Sequence, residues 1–77
     1  MAAVYYTYRG EEGEVIDDEA THITVAENVV IVRANAFKDH RNIIELVCHL
    51  HVGKIEHWAF YNCPSLRRVI MPGVKIV

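Results

Sequence analysis

The chain lacks any apolar stretch long enough to cross a bilayer. Its longest run of branched aliphatic residues, Val29-Val30-Ile31-Val32, is far short of the roughly 20 residues that a spanning helix requires. It also lacks a basic opening followed by a long apolar core. The start, from Met1 to Arg9, therefore does not read as an export signal, and an intracellular setting is the expectation. Cysteine is scarce: Cys48 and Cys63 are too few for a disulfide framework, and both are expected as reduced thiols. Low-complexity tracts are absent, and a composition of 52% hydrophobic and 23% charged residues excludes a disordered chain. At 77 residues there is room for one small unit, near the lower limit for a self-sufficient core.

Charge of one sign is also missing overall, since the formal net charge is only -2, but the distribution is uneven. Glu11, Glu12, Glu14, Asp17, Asp18 and Glu19 lie in the first twenty residues against the single base Arg9. From Thr21 onward seven Lys/Arg face four acids, a net of +3. That excess is too mild and too scattered for a nucleic-acid face, which needs a concentrated basic surface. The acidic run reads as a solvated turn and cap region.

What the chain does contain is an internal repeat. Ala36-Phe37 recurs 23 residues later as Ala59-Phe60. The same step places Val32 on Ile55, Ile43 on Leu66, Leu46 on Val69 and Cys48 on Met71. In the other direction Leu46 falls on Ile23, Cys48 on Val25 and Val52 on Val29. Apolar character persists at the positions that repeat and drifts between them. Stacked coils produce that pattern, because each buries the same set of side chains against its neighbour. Within each copy, Ile23-Thr24-Val25, Leu46-Val47-Cys48 and Val69-Ile70-Met71 alternate as short strands do. A second extended piece is expected at Val29–Val32 and Lys54–Glu56. A tight turn follows at Ala36–His40 and Ala59–Pro64, read as one short helical or 3₁₀ turn.

The segment Ala59–Val77 resembles the BspA-like leucine-rich repeat. Ala59, Phe60, Cys63, Leu66, Val69, Met71, Pro72, Val74 and Val77 stand in the positions of that pattern, the last interval one residue short. The preceding copy keeps Ala36, Phe37, Ile43, Leu46, Val52 and Ile55, with His40 where cysteine is usual and His49 where proline is usual. The resemblance covers about residues 20–77. It implies a β-rich, right-handed leucine-rich repeat solenoid of short parallel strands and short turns, about two and a half repeats long. It also implies a non-enzymatic scaffold for protein recognition, without a cofactor. A purely structural spacer within a longer repeat protein is the alternative. Residues 1–19 are expected to cap the first coil, with Val4–Tyr8 and Glu14–Ile16 as the strands of a hairpin. Val74-Lys75-Ile76-Val77 stops inside a copy, so a longer array or association through an uncapped last coil is expected.

Each candidate for chemistry has a plainer structural reading. Cys48, His49 and His51 form a C-H-x-H string, yet neighbours on a strand face opposite ways and do not converge on one zinc ion. Cys48 reads as a core filler equivalent to Val25, and a thiol in apolar surroundings is unreactive. The acids at 11–19 do not follow the calcium-loop pattern, and there is no glycine-rich phosphate loop. No catalytic, metal or cofactor residue is therefore expected. Trp58, aligned with Asn35, reads as an edge cover or as an exposed anchor for a partner. The repeat register sends Thr24, Val47 and Ile70 outward in one ladder and sets Glu45 beside Arg68, with His49 next to them. These six residues form the expected partner-binding face.

Overall fold

The computed structural model describes residues 2–74. Six short strands form in chain order: β1 (Tyr5–Tyr8), β2 (His22–Val25), β3 (Ile31–Val32), β4 (Glu45–Val47), β5 (Lys54–Ile55) and β6 (Arg68–Ile70). They assemble into a four-stranded sheet of order β1-β2-β4-β6 and a two-stranded sheet of β3 and β5, and every pairing is parallel. Parallel strands require a crossover between them. Here each crossover is a run of turns and extended chain, with no helix among the described residues. The result is a small β-rich domain in which the 23-residue step is a spatial neighbour relation. Ile23 pairs with Leu46, Leu46 with Val69, and Val32 with Ile55.

Alternation decides which side chains enter the core. Ile23 and Val25 of β2, Leu46 of β4 and Val32 of β3 are buried, while Thr24 and Ile31 between them are exposed. Phe37, Ile43 and Val52 complete the most deeply buried set, and Ala20 and Ala59 fill the narrow positions between segments. Phe37 is sandwiched by aromatic rings. Tyr8 lies 5.2 Å away at a tilt of 57°, and Phe60 lies 5.7 Å away and nearly parallel, at 6°. The equivalents from the later copy, Ile55, Phe60, Leu66 and Val69, are only half-buried, because no described segment stacks on their far side. Gly73 meets the backbone of Leu50, the residue one repeat earlier, so closely that a Cβ would collide with the Leu50 carbonyl. Glycine is required there for space alone.

Two expectations are corrected. The compact turns at 36–40 and 59–64 are successive β-turns and contain neither helix nor 3₁₀ helix. A 3₁₀ helix needs consecutive bonds between residues three apart. Here the local bonds alternate with crossing ones: the Ala36, Lys38 and His40 amides bond within the turn, whereas the Phe37 and Asp39 amides donate to the carbonyls of Ala59 and Tyr61, each at 2.8 Å. Left-handed residues flank the turn at Asn35 and Asp39 and again, 23 residues on, at Trp58 and Asn62, which also breaks any helical run.

The second correction concerns residues 4–16, which do not form a hairpin. β1 instead pairs in parallel with β2, Tyr5 opposite His22 through Tyr8 opposite Val25, and Glu14–Ile16 is not a strand. The cause is Glu14, whose carboxylate accepts bonds from the Arg9 and Glu11 amides and, at 2.6 Å, from the Tyr6 hydroxyl. That carboxylate folds residues 9–14 into a loop, leaving no extended return chain to pair with β1. Thr21 fastens β1 to the next segment by receiving the Val4 amide at 2.8 Å and donating back to the Val4 carbonyl at 3.2 Å. Of the end segment from 74 to 77, residues 75–77 lie outside the described residues.

Candidate partner-binding face

The exposed face of the four-stranded sheet carries the side chains that alternate with the core set. Thr24, Val47 and Ile70 are direct Cα partners across β2, β4 and β6, so they form one continuous ladder. Thr24 and Ile70 are exposed and Val47 is half-buried. Beside them Glu45 is the partner of Arg68, and their side chains form an ion pair at 3.3 Å. Arg68 is largely in water, so the pair contributes at most a few tenths of a kcal/mol. Its larger effect is to hold the two charges in a defined position.

His49 lies at the margin of this face, half-buried and already engaged. Its Nε2 donates to the Ala26 carbonyl at 3.0 Å and its Nδ1 accepts the His51 amide at 3.1 Å. Both ring nitrogens are thus used internally, and only the ring surface remains for a partner. The structure also adds residues that the repeat register did not reveal. Because β1 joins the sheet, Thr7 extends the Thr24 ladder, with the two hydroxyls 3.2 Å apart, and the Tyr5 ring lies 5.2 Å from the His22 ring. The signal for them was present as the alternation in Tyr5-Tyr6-Thr7-Tyr8. Its step to the next strand is 17 residues rather than 23, which hid it from a search at one period.

The residues considered for other chemistry are dispersed. Cys48 is buried, and burial pushes its thiol above the ordinary range. Burial also raises Cys63, helped by the nearby Asp39 charge and opposed by a bond from the His40 backbone. The Cys63 thiol donates to the Phe37 carbonyl at 2.9 Å. Among the described residues no three His, Cys, Asp or Glu side chains converge as metal ligands. Trp58 is 61% exposed and sits on the turns, away from the sheet face. It touches Tyr61 and His57, with the Lys38 ammonium 5.7 Å above its ring. No described helix is long and apolar enough to cross a membrane. Compared with protein-family models, curated proteins and solved structures, the chain matches none.

Proposed function

We propose that this protein is a leucine-rich-repeat solenoid of the BspA-like kind, and that it recognises a protein partner through the exposed face of its parallel sheet. The observation that supports this reading is the ladder Thr24-Val47-Ile70, flanked by the Glu45–Arg68 pair. Val47 and Ile70 gain strand propensity and a cross-strand contact with each other, and a partner that covered them would add burial of the apolar area they leave in water. Two adjacent β-branched apolar residues on a flat, rigid sheet form an anchor, and the neighbouring ion pair supplies a charged rim that orients a partner. Rigidity favours binding, because β4, held between β2 and β6, loses little conformational freedom when a partner docks. The scaffold acts by recognition alone and uses no cofactor.

The test is replacement of Val47 and Ile70 by lysine. Both side chains point away from the core, so the circular dichroism spectrum and the unfolding midpoint stay near those of the parent. Proteins recovered on the immobilised parent chain are lost from the double variant. Equal recovery on both would remove this face from consideration.

A further inference from the structure

The first segment of the chain is shorter than the ones that follow, and its short cut leaves a strand edge uncovered. At the strands its step to the next segment is 17 residues, with Thr7 beside Thr24. At the turns the step is 23, with the His40 ring on the Asp17 carbonyl and the Arg33 Nε donating to Gly10 O. Six residues are therefore missing between Tyr8 and Gly10 relative to the path from Val25 to Arg33. Those six would have formed the strand beside β3. Gly10 makes the crossing, with φ +70° and its Cα hydrogen side turned onto Val29, where a Cβ would lie 3.3 Å from the valine methyl.

The consequence for the backbone can be read from the hydrogen bonds. In a parallel pair, alternate residues point their amide and carbonyl to alternate sides. The carbonyls of Val30 and Val32 accept from Gly53 and Glu56, on the β5 side. Ile31 and Arg33 therefore face the other way. Arg33 confirms this, since its amide donates to the Tyr8 hydroxyl at 3.2 Å, a side chain standing in for the missing strand. The amide and carbonyl of Ile31 face an open cleft of about 410 Å³, whose lining includes Arg9, Gly10, Val30, Ile31, Arg33 and the acid Glu56. Val30 and Ile31 are exposed at 53% and 42%. Among the described residues neither Arg9 nor Arg33 forms an ion pair. Glu56 contributes one negative charge to the lining against the two arginines, and its carboxylate accepts the Ala34 amide at 3.2 Å.

We infer that this cleft binds an extended acidic peptide of about one short strand, which adds to the free edge of β3 in the space that the first segment leaves empty. Strand addition takes its hydrogen bonds from exposed main chain and its selectivity from flanking side chains. The outward Ile31 amide and carbonyl supply the first, and the guanidinium groups of Arg9 and Arg33, neither in an ion pair among the described residues, supply the second, selecting carboxylate over ammonium.

The experiment is nitrogen-15 NMR titration with three acetylated, amidated hexapeptides that alternate valine with aspartate, serine or lysine. The aspartate peptide shifts the amides of residues 30–33 in the parent chain and binds at least roughly tenfold more tightly than the lysine peptide. Ile31→Pro removes the amide donor on the open side while leaving the β5-side bonds in place, so it loses the response but keeps the dispersed spectrum of the fold. Arg9→Gln, at an exposed position, weakens the aspartate peptide and leaves the serine peptide unchanged. Equal affinity for the three peptides, shifts confined to β6, or an unchanged response in a folded Ile31→Pro chain would each overturn the inference. Shifts at 30–33 that depend on protein concentration without any peptide would instead make a second copy the occupant, and would overturn it as well.

Discussion

Truncating Phe37 tests whether stacking between segments holds this protein together. Phe37 is 1% exposed and lies between Tyr8 and Phe60, whose rings are 5.2 and 5.7 Å from its own. Removing a buried phenylalanine costs about 3–5 kcal/mol, the transfer term plus the cavity that its neighbours fail to close. A chain of 77 residues has a total stability of only about 4–11 kcal/mol by the usual per-residue range. Phe37→Ala therefore leaves the protein near or below its folding midpoint. Phe37→Leu, which keeps most of the volume, costs about 1–2 kcal/mol and stays measurable. Phe60 is half-buried and has one ring on one face only, so Phe60→Leu costs less than Phe37→Leu. Urea unfolding followed by far-ultraviolet circular dichroism gives each value. The Phe37→Leu, Phe60→Leu cycle should return a coupling of about 0.5–1.5 kcal/mol for the stacked pair. Additive losses, or a Phe60 effect as large as that of Phe37, would refute the argument that the rings stabilise one another across segments.

Four further outcomes follow from the same geometry. His40 is buried and uses both ring nitrogens, on the Asp17 carbonyl and the Asn42 amide, so His40→Ala costs about 1–3 kcal/mol. His40→Cys recovers part of that loss, because Cys63 holds the same place one repeat later and donates to a carbonyl of the preceding segment, that of Phe37; equal melting temperatures for the two variants would contradict this. Trp58 adopts φ 61° where its counterpart Asn35 adopts φ 62°, and a bulky side chain pays for that conformation without being buried. Trp58→Asn is accordingly neutral or stabilising by up to about 1 kcal/mol, and a thermal shift downward by several degrees would show otherwise. Burial and the Glu14 hydrogen bond raise Tyr6 to about 12 from 10.0, so the folded state favours its neutral form. Stability from this pair is complete below pH 10 and declines as pH rises toward 12, and Tyr6→Phe removes that slope from the urea midpoints. Burial of Glu14 is outweighed by bonds from Tyr6 and the Arg9, Glu11 and Gly10 amides, which leave it below its ordinary value. Its contribution is present at neutral pH and disappears as pH falls through the carboxylate range, so Glu14→Gln flattens the acid limb of the same curve.

The pairing of segments was legible because burial constrains side chains at fixed intervals. Leu46 and Val69, or Val32 and Ile55, are apolar for the reason that they face each other's backbone neighbours across parallel strands. The neighbouring charges Glu45 and Arg68 followed from that register. Two features were not legible, and both depend on where single polar groups send their hydrogen bonds. Residues 4–16 carry strand-turn-strand composition, but one carboxylate, Glu14, gathers two amides and a tyrosine hydroxyl and outcompetes strand pairing. The turn at 36–40 has the length of a 3₁₀ turn, but alternate amides cross to the next segment. Composition reports neither choice. The commitment of both His49 ring nitrogens was equally hidden, since nothing in the sequence distinguishes a histidine facing a partner from one fastening two segments.

That fastening explains why the interval stays at 23 even where the strand step is 17. Arg33 reaches Gly10, His40 reaches Asp17 and His49 reaches Ala26, each donating from a side chain to a backbone carbonyl one interval earlier, and at the same interval the Asn62 side-chain amide donates to the Asp39 carboxylate. The Asp17 and Ala26 carbonyls each accept one local amide, from Ala20 and Val29, and the histidine of the following segment adds a second bond to each. A donor side chain makes that second bond only if it arrives at the same place in the turn. Inserting or deleting one residue within 33–40 would misalign several donors at once, whereas the first segment can drop six residues between Tyr8 and Gly10, where no such donor is displaced. The fold therefore tolerates a change of length at the β3 edge and resists it at the turns, and the open cleft lies where the tolerance is used.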